Sequence, residues 1–168
     1  AYLRLCAQEG DLALLERVKK AMEASTDPQR RTTLLGILGY FGVPAVQDRA
    51  LDLMLDPGVT PSDLRTLITF NGYQESRRLR LQNWIFKNYP ALRAKIPNAF
   101  AEEIVTCLKD CHDREVLEKI QNFFASTSKA DTAVQRAVSK MAESADNLIR
   151  TRERGQASFD AVVAGKAQ

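Results

Sequence analysis

The sequence predicts an all-α protein of about nine helices, and three observations predict it. Apolar residues recur at three- and four-residue intervals, while strand-like alternation is nearly absent. Helix-start signals such as Asp27-Pro28 and Thr60-Pro61 punctuate the chain. The connections between periodic segments are only two to five residues long, which makes sequential helices antiparallel neighbours. Taken in pairs, the segments fall at 11–40, 43–70, 74–110 and 113–150. This rhythm, without sequence self-similarity, points to helix pairs stacked as an α-solenoid of the HEAT or armadillo kind, with a compact bundle as the other all-α solution.

Each element has a local reason. Asp11 after Gly10 caps a helix on which Leu15, Val18 and Met22 share a face. Asp27 with Pro28 opens "TTLLGILGYFG", and Pro44 opens "PAVQDRALDLMLD", where Val46, Ala50, Leu53 and Met54 align. Thr60, Pro61 and Asp63 form the cleanest start, a capping box, and Asn71-Gly72 ends that helix. The next spans "RRLRLQNWIFKNYPALRAKIP", with Leu79, Leu81, Trp84 and Ile85 as its core side. Pro97-Asn98 begins "AFAEEIVTCLKD", and "DREVLEKIQNFFAS" turns Val116, Leu117, Ile120 and Phe124 inward. Ser128 and Asp131 cap a long helix with a stripe of Val134, Val138, Met141, Ala145 and Leu148. Gly155 is expected to separate it from a short terminal helix carrying Phe159 and Val162.

The 168 residues suit a single all-α domain over 1–168, and 45% hydrophobic with 27% charged residues is a globular composition. The net charge of +3 is too small to imply a polyanion partner, but residues 61–100 carry seven Lys/Arg against two acids. The remainder is therefore slightly acidic. The longest uncharged run, "TTLLGILGYFGVPAVQ", contains three glycines and a proline and is shorter than a membrane span of about 18–20 residues. The chain opens "AYLRLCAQEGD", with no Met and no basic-then-apolar ramp, and is expected to be a C-terminal fragment of a longer multidomain chain. Cys6, Cys107 and Cys111 are odd in number and widely spaced, which favours a reducing, cytoplasmic compartment. Secretion or a periplasmic location stays open, because any signal would lie upstream.

Catalytic constellations are missing from the pattern. His112 is the single histidine, so a two-histidine zinc helix cannot be assembled from these residues. In "CLKDCH", Cys107 and Cys111 stand one turn apart, but His112 points about 100° away from Cys111 on a helix. Small buried thiols are the expected role, with no metal ion and no cofactor. Gly36, Gly39 and Gly42 follow no strand and suit close helix approach rather than a phosphate loop. One candidate for binding remains: Arg77, Arg78 and Arg80 cluster at a helix start. No aromatic platform is interleaved with them, so nucleic acid is not the expected partner.

Several segments resemble the M1 family of zinc aminopeptidases, of the aminopeptidase N and puromycin-sensitive kind. "TTLLGILGYFGVPAVQDRALDLMLD" is similar to that family's Leu-Gly helix preceding "RALDL-L". "NWIFKNYPALRAKIP" carries Trp84, Asn88, Tyr89 and Leu92 at the places of its aromatic-x-x-x-Asn-aromatic-x-x-Leu signature. "EKIQNFFAS" matches through Glu118, Ile120, Phe123 and Phe124, and "AVQRAVSKMAESADNLIRTRERGQASFDAVV" resembles the closing helix pair. Gln82 stands where members often carry Trp. The resemblance implies the non-catalytic C-terminal helical domain of such an enzyme, capping the active-site chamber and limiting peptide access. It also implies zinc in an upstream catalytic domain, with that domain and peptide substrates as partners. Arg77, Arg78 and Arg80 then become candidates for the chamber wall. The competing reading is a free-standing helical-repeat scaffold that binds a peptide or protein.

Overall fold

A computed structural model of the chain describes residues 2–72, 75–108 and 113–164, and among them every regular element is a helix. In order these are α1 Tyr2–Gln8, α2 Leu12–Glu23, α3 Pro28–Leu38, α4 Pro44–Asp52, α5 Pro61–Gly72, α6 Glu75–Lys95, α7 Ala101–Thr106, α8 Arg114–Thr127 and α9 Thr132–Val163. Short 3-10 turns at Leu53–Leu55 and Asn98–Phe100 follow α4 and precede α7. The chain divides into two compact units, Ala1–Ile104 and Val105–Gln168.

The helix starts follow local chemistry. Asp11, Asp27, Asp113 and Asp131 each hold extended backbone at an N-cap and accept a hydrogen bond from a first-turn N–H. At α5 the box closes in both directions. Asp63 N–H donates to Thr60 Oγ1 at 3.2 Å, and Thr60 N–H donates to Asp63 Oδ2 at 3.0 Å.

The nine helices among the described residues are not the nine expected. α1 precedes the first anticipated start at Asp11. At the other end, α9 runs unbroken for 32 residues through Gly155, so no separate terminal helix exists. A single exposed glycine raises the helix free energy by only about 1 kcal/mol relative to alanine. A side chain within the helix spans the site: Ser158 Oγ donates to Arg154 O at 3.0 Å. The stripe of α9 also ends on Ile149 rather than Leu148: Ile149 is buried and Leu148 exposed. Ile149 lies four residues beyond Ala145, as Ala145 lies four beyond Met141, so it prolongs the same face.

In the first unit α1, α3 and α5 touch in succession, as do α2, α4 and α6, with further packing of α2 on α3 and of α5 on α6. Leu15, Leu35, Leu38, Phe41, Leu51, Leu67 and Leu81 fill the interior. Close approach of α3 to α5 depends on glycine. A Cβ on Gly39 would sit 2.6 Å from Cβ of Phe70. Arg31 ties four segments together: its guanidinium donates to both oxygens of Asp63 (2.7 and 3.2 Å), to Met22 O and to Gly58 O. In the second unit α8 packs on α9. Leu117, Ile120 and Phe124 are buried from α8, and Val134, Val138, Met141, Ala145 and Ile149 from α9.

Candidate functional site

The basic stretch forms the N-terminal half of α6, and helical geometry divides its three arginines. Arg77 lies four residues before Leu81, seven before Trp84 and eight before Ile85, on the stripe those residues bury. It is accordingly interior, with 2% of its surface exposed. One Nη donates to Gly39 O at 3.3 Å, and the guanidinium carbon stands 4.8 Å from the centroid of the Tyr40 ring. Nε and the other Nη find no hydrogen-bond partner. Burial, only partly offset by Tyr40, holds the guanidinium below its usual pKa. A desolvated cation over an aromatic face is worth about 2 kcal/mol. That contact supplies much of what holds the charge inside.

Arg78 and Arg80 are half-buried and approachable. Nε of Arg78 donates to Gly72 O at 3.1 Å, closing the end of α5. Arg80 reaches across to α4 and donates from one Nη to both oxygens of Asp48, each at 2.8 Å. Leu79, expected on the core side, is instead 46% exposed. It lies two residues from both Arg77 and Leu81, and a two-residue step turns a helical side chain to the far side.

Arg80 lines a cleft of about 550 Å³ between α4 and α6, with Asp48, Asp52, Leu79, Asn83, Trp84, Lys87 and Asn88. Two carboxylates one turn apart on α4 thus face two cations on α6. Trp84 forms the floor. It is 8% exposed, and its indole N–H donates to Asp52 Oδ1 at 2.9 Å. The rest of the aromatic signature is architectural in the same way. Tyr89 and Leu92 are buried, and Asn88 donates to Trp84 O at 3.0 Å. In the second unit, Phe124 is buried and meets the half-buried Phe123 edge-on, with centroids 5.1 Å apart.

The sequence reading missed the polar interior beside Arg77. Gln47 donates to Arg77 O at 3.2 Å and to Asn71 Oδ1 at 3.4 Å, and Asn71 donates to Leu67 O at 3.0 Å. Gln47 stands one residue from Val46 and four before the buried Leu51. Its place on that stripe was the available signal. Asp48 and Asp52, the acidic wall of the cleft, were missed too; their four-residue spacing on α4 marks them as one face.

Among the described residues no three His, Cys, Asp or Glu side chains are grouped to hold a metal ion. Cys6 and Cys107 are half-buried reduced thiols. Cys111 and His112, weighed above as ligands, lie outside the described residues. No helix among the described residues is long and apolar enough to cross a membrane.

A family model described as the ERAP1-like C-terminal domain covers residues 1–147. No curated protein matches the chain.

Proposed function

We propose that this chain, which belongs to the ERAP1-like C-terminal domain family of M1 aminopeptidases, caps the active-site chamber of its parent enzyme and limits which peptides enter. The single observation that carries this reading is the family match over residues 1–147, which includes all of α1 to α8. In this reading the domain is non-catalytic. The zinc ion and the groups that act on the peptide bond belong to an upstream domain of the same chain, and this domain supplies walls and charge.

The cleft between α4 and α6 is the part of the first unit best suited to meet a peptide. Arg80 and Lys87 offer cations to acidic side chains or a terminal carboxylate, and Asp48 and Asp52 favour basic ones. A charge-assisted hydrogen bond of this kind contributes about 1.5–3 kcal/mol when shielded from water and less at a solvated rim. Arg78, held on Gly72 O, does not line this cleft and stands as a separate candidate for the chamber wall. Arg77 supports that face from inside, since its guanidinium is covered.

The test uses the full-length parent with Arg78→Gln and Arg80→Gln together, comparing hydrolysis of a dipeptide with that of longer peptides. The reading expects a loss confined to longer or acidic peptides, because only these extend past the reacting end. Equal rates at every length would remove both arginines from the chamber wall. Separately, the purified 168-residue chain with added zinc is expected to release no N-terminal amino acid. Zinc-dependent release would place catalysis within it.

A further inference from the structure

The cleft between α4 and α6 is lined by two cations and two carboxylates, but their charges are not equally available. Arg80 and Asp48 satisfy each other, since one Nη donates to both carboxylate oxygens at 2.8 Å. Asp52 is held differently. Its Oδ1 accepts from the indole N–H of Trp84 at 2.9 Å, and no lysine or arginine among the described residues pairs with it. A neutral donor fixes the carboxylate without cancelling its charge, and Oδ2 is left free. Trp84 fixes a second acceptor as well. Asn88 Nδ2 donates to Trp84 O at 3.0 Å, which leaves the amide oxygen Oδ1 without a partner among the described residues. Both acceptors therefore line the cleft on the hold of one buried tryptophan. Lys87 is exposed and bonded to nothing among the described residues. Its four-carbon stem is flexible. Fixed groups define a site, and a mobile one only competes for it.

We infer that Asp52 and Asn88, both held by Trp84, form a subsite for the guanidinium of a peptide's arginine side chain. The chamber reading supplies the peptide; the subsite itself stands on the geometry of the cleft. A guanidinium presents several N–H donors in one plane, so it can meet two separate acceptors at once. Its flat face also packs on aromatic carbon, and it is more weakly hydrated than an ammonium, so arginine should bind ahead of lysine. An acidic side chain finds a weaker place, because the fixed cation, Arg80, is already matched by Asp48. Lys87 is the resident competitor for Asp52, and it is outmatched because it makes no bond there that an incoming guanidinium would have to break.

Trp84 is the single tryptophan of the 168 residues, so its emission reports on the subsite directly. The probe is acetyl-Gly-Arg-Gly-amide, whose blocked ends leave the guanidinium as its sole charge. Titrated into the 168-residue chain at low salt, it is expected to change the emission saturably. The norleucine analogue should give no change, and the lysine analogue should bind several-fold more weakly. Asp52→Asn keeps an acceptor for the indole but removes the charge, and should weaken binding about tenfold. Lys87→Gln removes the competitor and should strengthen binding about threefold. Both positions are exposed, so circular dichroism should be unchanged in either variant. Equal responses to the arginine and norleucine peptides, undiminished binding by Asp52→Asn, or weaker binding by Lys87→Gln would each overturn the inference. In the full-length parent, peptides of one length with arginine or norleucine at an internal position should differ in KM, and Asp52→Asn should narrow that difference. Saturable binding to the chain without any such difference in the parent would uphold the subsite and count against the chamber reading instead.

Discussion

The two units bury different things. The first takes Gln47, Asp63, Asn71, Arg77 and Gln82 into its interior, whereas Ser128 is the buried polar side chain of the second among the described residues. The first is cross-linked by the Arg31–Asp63 pair and by Trp84 on Asp52. The second rests on the apolar seam of α8 and α9, with its ion pairs outside: Arg114 meets Asp146 at 3.2 Å and Glu153 at 3.4 Å, in open solvent. Buried polar links are directional and intolerant of change, while surface pairs contribute little and can be lost singly. The first unit should therefore respond sharply to substitutions that the second absorbs.

Four experiments probe that contrast, from the largest expected effect to the smallest. Trp84→Ala should lower stability by about 3–5 kcal/mol, since it removes a core aromatic and leaves Asp52 without its donor. Chemical denaturation that finds Trp84→Ala as stable as the parent would show the indole to be peripheral. Asp63→Asn should cost about 2–3 kcal/mol near neutral pH, because Arg31 and the Thr60 box lose their shared charge. Burial alone would raise the Asp63 carboxyl, but Arg31 and Thr60 outweigh it and hold the group below its ordinary range. A depressed folded-state pKa gives stability that is complete above the unfolded value of about 3.9 and is lost as pH falls below it. The Asn variant should accordingly lose less stability than the parent between pH 5 and about pH 2. Melting curves across that range would decide the sign.

The third experiment sets one glycine of each unit side by side. Gly39→Ala should destabilise by about 1–3 kcal/mol, because the new methyl meets the Phe70 side chain. Gly155→Ala meets nothing and should stabilise α9 by about 0.5–1 kcal/mol. Like signs for the two would erase the distinction between the units. Last, Arg114→Ala should leave the midpoint of the second unit's thermal transition within about one degree of the parent. A larger fall would mean that the surface cluster around Asp146 stabilises more than exposed pairs do.

Most of the fold was legible because most of its signals are local. Asp11, Asp27, Thr60 with Asp63, and Asp131 announce their helices through bonds to N–H groups two or three residues away. What escaped was decided at longer range. Gly155 looks like a stop by composition, and only the surrounding side chains carry the helix past it. Arg77 looks like surface by residue type, yet its place four residues before Leu81 marks it as interior. There the period of the helix outranks the charge of the side chain. The acidic wall of the cleft was hidden for a different reason: Asp48 and Asp52 are ordinary helix-surface residues until α6 is laid beside them.

The unequal lengths of α8 and α9 also give one helix two different clocks. Amide hydrogens in the stretch that shares a seam with α8 can exchange with solvent only when that seam opens. Those from Thr151 to Val163 lie beyond that seam, and their opening costs little more than the exposed Arg114–Glu153 ion pair. Deuterium uptake should therefore climb abruptly past Ile149, dividing a continuous helix into a slow and a fast segment. The same amides therefore report where the seam ends.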